Sequence, residues 1–160
     1  MLLKILRFFN LDITGRSWQE MAEHDYFGEI VFFGFREKDK CYWECMKELD
    51  GVDVFIGINS PDGLPPSDEH VRFVELVIAD LDNWFAIVAS GIVPDFESRF
   101  SRKFAADWKE QISFAGMVLP YDLEEGFNWD LMFEVNEALG SLDYICHMKG
   151  QDMVDVTVDG

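Results

Sequence analysis

The stretch from Ser67 to Ser90, SDEHVRFVELVIADLDNWFAIVAS, constrains this chain more than any other. Its spacing predicts one long helix. Pro61-Asp62-Gly63 supplies a turn upstream, and Ser67 stands where an N-cap belongs, with Asp68 and Glu69 against the positive end of the helix dipole. Gly91 and then Pro94 give the stop. At 1.5 Å per residue the rod would be roughly 36 Å long. Val71, Val74, Val77, Ile78, Leu81, Trp84, Phe85 and Val88 fall on one broad side, and Arg72, Glu75, Asp82, Asn83 and Ser90 on a narrow opposite strip. So wide an apolar side needs a sheet beneath it.

Strands are expected on both flanks. Tyr26 to Phe35 is rich in aromatic and β-branched residues, and Cys41 to Leu49 follows a charged turn at Arg36 to Lys40. Asp50-Gly51 is a hairpin signal before the alternating Val52 to Asn59. Beyond the helix, Pro94 to Ala106 reads as a second short helix or structured loop, with strands at Gln111 to Leu119, Asn128 to Asn136, Leu142 to Met148 and Met153 to Val158. Residues Arg16 to Asp25 are polar and read as helical. The expected order is β-β-β-α-(α)-β-β-β-β, an α+β fold with a mainly antiparallel sheet and a long helix packed across it. Residues 25–160 would form the core of a single domain and residues 1–24 a helical or irregular extension.

Charge narrows the function. A net charge of −18 over 160 residues argues against direct binding to nucleic acid or an anionic membrane, both of which require a basic patch. The imbalance grows along the chain: from Ala105 to Gly160 only Lys109 and Lys149 stand against twelve Asp and Glu. The three cysteines, Cys41, Cys45 and Cys146, are too few and of the wrong parity for a disulfide scaffold, and the N-terminal MLLKILRFFNL lacks a secretory pattern. No apolar run is long enough to insert in a bilayer. A reducing, cytoplasmic setting is expected. Residues Leu2 to Leu11 are expected to form a short amphipathic helix that docks on the domain rather than on a membrane surface, for which two cations are few.

Sites of chemistry are scarce. Cys41, Cys45, Cys146 and His147 include zinc-ligand types, but on a strand Cys41 and Cys45 would sit about 13 Å apart, too far for one ion. No metal or cofactor is expected. The chain lacks G-x-S-x-G, H-E-x-x-H and any phosphate-cradling glycine loop, so no catalytic residue is assigned. Asp80 falls on the helical wheel among Phe73, Leu76, Trp84 and Ile87, either at the rim of the apolar face or buried with a perturbed pKa. Arg99, Arg102 and Lys103 are the one local basic cluster. The segment from Tyr121 to Trp129 combines acids with aromatics. Tyr121, Asp122, Glu124, Glu125 and Phe127 are the candidate partner-binding residues, with Trp129 turned inward.

Asp25-Tyr26-Phe27-Gly28-Glu29-Ile30, the long helix, the strand Asn128-Trp129-Asp130-Leu131 and the closing Val156-Thr157-Val158-Asp159-Gly160 together resemble small bacterial α+β domains found as immunity proteins beside polymorphic or contact-delivered toxins. That resemblance implies a non-enzymatic cytoplasmic protein that binds and occludes a cognate toxin, and the charge of this chain suits a basic one. Two other readings stand beside it. One is an acidic nucleic-acid mimic, which requires carboxylates in ordered rows. The other is a hydrolase or small-ligand domain in which Asp80 and His147 converge.

Overall fold

A computed structural model describes residues 17–140 and 142–160; the expected helix at Leu2 to Leu11 lies outside them. Eight strands form one sheet in strict sequence order: β1 (Trp18–His24), β2 (Gly28–Gly34), β3 (Tyr42–Leu49), β4 (Val52–Asn59), β5 (Ile112–Leu119), β6 (Asn128–Val135), β7 (Asp143–Lys149) and β8 (Asp152–Asp159). All neighbours are antiparallel except β4 and β5, which run parallel through four residue pairs, Phe55–Gly116 to Ile58–Leu119. A parallel pair needs a crossover. Helices α1 (Asp68–Ala79) and α2 (Leu81–Phe100) provide it. The architecture is α+β with a mostly antiparallel sheet, as the sequence predicts.

Where elements begin and end departs from expectation in three places. First, the single long helix divides at Asp80, where α1 and α2 meet at 77°. Asp80 has φ −139° and ψ 47°, outside the helical region, and serves both as the last cap of α1 and the first of α2. Second, α2 runs through Gly91 and Pro94 to Phe100 rather than stopping. Pro94 is exposed, so the Ser90 carbonyl that it leaves without an amide donor is on the solvent side. Gly91 is a contact point: a Cβ there would run into Val156 and the Met153 thioether of β8. Third, Trp18–His24 is an edge strand and not a helix, with all seven residues paired to β2.

The hairpin at Asp50-Gly51 forms as predicted, with φ 50° and 81° at its two central positions. Gly116 lies at a break in the β5–β6 register with φ 149°, and a Cβ there would strike the Phe55 backbone. A second irregularity, between His147 and Met148, leaves Val154 without a paired residue on β7. Val154 therefore turns to solvent, while Met153 and Val156 face the helices.

Both helices pack on one face of the sheet. Val74 and Val77 of α1 and Trp84, Phe85, Val88, Ile92 and Phe96 of α2 are buried against Ile30, Trp43, Ile56, Met117, Leu131, Phe133, Tyr144 and Cys146. Each large apolar side chain so buried stabilises the fold by about 1.5–3 kcal/mol. Rings interlock at the seam: Trp129 of β6 meets Phe73 edge-on at 5.0 Å and Trp84 at 5.2 Å, and its indole N–H donates to the Gly150 carbonyl at 2.7 Å. Tyr144 donates to Asp95 at 2.9 Å, tying β7 to α2. On the opposite face a smaller buried cluster contains Phe55, Val118 and Met132. Glu44 shares that face, placed by register beside Val31 and Gly57.

Candidate functional site

The carboxyl ends of the parallel strands β4 and β5 point to the same end of the sheet, and there the start of α1 meets the β5–β6 connection. His70 joins the two. The Ser67 N–H donates to its Nδ1 at 3.0 Å, so Nδ1 carries the lone pair and the ring hydrogen sits on Nε2. Nε2–H then donates to the Pro120 carbonyl at 3.1 Å, fifty positions along the chain. The ring is fully buried, and burial lowers its pKa below the ordinary 6.5, which keeps it neutral. Tyr121 lies against it at 5.4 Å between centroids.

This clamp sets the walls of a groove of about 540 Å³, residues 67–69 on one side and 121–124 on the other. Four carboxylates line it, Asp68, Glu69, Asp122 and Glu124, and among the described residues no Lys or Arg does. Asp68 and Glu69 are favoured where they stand by the helix dipole, whereas Asp122 and Glu124 lie in a loop with no such compensation. A cation entering between the walls is attracted by all four, most strongly once water is displaced. The groove gathers four acidic side chains between two walls.

Of the expected contact residues, Tyr121, Asp122 and Glu124 line the groove. Glu125 is exposed just beyond it. Tyr121 and Phe127 are half-buried, Tyr121 against His70 and Phe127 edge-on to Phe73 at 5.1 Å, so both rings lean on the domain. Trp129 is buried, as expected. Asp68, Glu69 and His70 were not among the expected residues. The available signal was Ser67-x-x-His70, an N-cap followed at the third helical position by a side chain that reaches back to it.

The remaining sequence features disperse. Asp80 is exposed at the helix junction, whereas His147 points from the other face of the sheet, so the two do not converge. His147 instead meets Asp130 through Nδ1 at 2.7 Å and Thr157 through Nε2 at 2.8 Å. These side chains lie on three adjacent strands with Asp130 directly opposite His147, and the register alone brings them together. Arg99 is held by both oxygens of Asp95, and Lys103 by Glu97 at 3.1 Å. All three cysteines are free and buried; burial pushes the Cys45 and Cys146 thiols up to about 12, where no reactive thiolate forms. Among the described residues no three His, Cys, Asp or Glu side chains gather as a metal site. Nor is any single helix among them long and apolar enough to cross a membrane.

Comparison with family models, with curated proteins and with solved structures finds no match to this chain.

Proposed function

We propose that this protein is an immunity-type inhibitor that binds a cognate basic toxin in the cytoplasm and neutralises it by occlusion, without catalysis. One observation carries the reading: four carboxylates from two distant segments line a single groove, with no Lys or Arg among the described residues that line it, on a molecule of net charge −18. The long-range field would speed encounter with a cationic protein, and the groove would hold a basic side chain after contact. Tyr121 adds an aromatic wall whose position is fixed by His70, so little ordering entropy is lost on binding.

The test is co-expression with the product of the neighbouring gene, where that product is basic and toxic. Growth is expected with the wild-type chain. Asp122→Lys with Glu124→Lys, which reverses one wall, is expected to weaken binding by about 100-fold and abolish protection. Glu125→Lys, outside the groove, should cost far less. Protection that survives the double reversal places the contact elsewhere.

A second reading, a nucleic-acid mimic, draws on Glu134, Asp143 and Asp159, which face one another directly across β6, β7 and β8. Such a row sets the Cβ atoms of the three acids about 5 Å apart. Competition with duplex DNA for many unrelated basic proteins would favour mimicry; tight binding to one toxin favours immunity.

A further inference from the structure

At the edge of the sheet Trp18 is 48% exposed, yet its ring is held by three separate contacts. One face lies over Gly34, its partner on β2, where a Cβ would collide with the indole. Its edge meets Phe32 at 6.3 Å between centroids, at 62°. Its N–H donates to Glu20 Oε1 at 3.2 Å. An indole fixed in this way keeps one π face toward solvent, and a hydrogen bond from its N–H to a carboxylate pushes electron density onto the ring. The adjoining groove, about 330 Å³, also contains Phe35 and, at its mouth, Asp62 in an exposed ion pair with Lys38 at 3.1 Å.

We propose that this groove is a second recognition site, which takes an arginine side chain of a protein partner. The guanidinium would stack on the open face of Trp18 and donate to the carboxylate of Glu20. A planar, weakly hydrated cation suits that pairing better than the compact, strongly hydrated ammonium of lysine. Glu20 and the net charge of the molecule supply the complementary sign, since Asp62 is already paired with Lys38. Trp18 and Glu20 are consecutive residues on one face of β1, two positions apart, so strand geometry delivers the aromatic and the anion together. This site differs from the one between α1 and the β5–β6 connection, and its test needs no toxin.

The probe is N-acetyl-arginine amide titrated into the full-length protein, followed by the Trp18 indole resonance in a two-dimensional 1H–15N spectrum. A saturable shift of that resonance is expected. Glu20→Gln should weaken it about fivefold, and Trp18→Phe, followed instead by the backbone amide of Gly34 beneath the ring, by a similar factor while the rest of the spectrum reports an intact fold. N-acetyl-citrulline amide, the neutral analogue of the same shape, should produce no saturable shift. A missing response to the arginine probe, or an equal response to citrulline, overturns the proposal. Either result leaves the groove of Asp122 and Glu124 untouched, just as loss of toxin protection would leave the Trp18 site standing.

Discussion

Glu44 is the residue most at odds with its surroundings. It is 8% exposed, its Oε2 finds no hydrogen-bond partner among the described residues, and burial raises its pKa from 4.5 to about 7. Because the folded state holds the proton more tightly than the unfolded chain, Glu44 contributes most below pH 4.5, and that contribution is lost as pH rises through 7. Glu44→Gln should therefore raise unfolding stability at pH 8 by on the order of 2 kcal/mol and barely alter it at pH 4.5, measured by urea denaturation. His70 has the opposite sign. Its folded pKa is lowered, so its contribution is full above pH 6.5 and declines as acid drives the buried ring toward the charged form. His70→Ala should cost about 2 kcal/mol at pH 7.5, less at pH 5, and speed amide exchange in the loop after Pro120. Neither residue could be assigned its role from sequence. Glu44 sits in a strand between Trp43 and Cys45 like any alternating polar residue, and the partner of His70 is a carbonyl fifty residues away.

The elements were legible where local chemistry alone decides them. Asp50-Gly51 dictates its turn, and Trp129, Leu131, Phe133 and Val135 alternate with Asp130, Met132 and Glu134 without interruption. They were illegible where two structures share one pattern. Val77 and Trp84 are seven positions apart, nearly two helical turns, so the apolar stripe continues in phase across the bend and a helical wheel sees a single rod. The clue was Asp80 itself, a residue type that favours helix starts. β1 was missed because WQEMAEH is an exposed edge strand that buries little of either face, leaving no period to read. Gly91 misled for a related reason: glycine ends helices, but it also allows close approach. Gly91→Ala should lower stability by about 1–3 kcal/mol in thermal unfolding, although alanine is the better helix former. Adding Val156→Ala should recover part of the loss, since that side chain occupies the space.

For the whole molecule, the excess of acid has two consequences. Self-repulsion at −18 opposes the compact state, so 0.5 M NaCl should raise the unfolding free energy by about 1 kcal/mol through screening. The same salt should slow association with a basic partner while changing dissociation much less, a separation that stopped-flow mixing resolves.

The lone parallel junction has a kinetic meaning. Strands β1 to β4 and β5 to β8 each zip up through neighbours in sequence, whereas β4 and β5 find one another only across some fifty intervening residues, through four pairs. Loop closure across that interval should make the joining of the two halves the slow step of refolding, read as the slowest phase in stopped-flow fluorescence. Gly116, whose bare backbone lets the halves meet, is where a single added methyl would hold them apart.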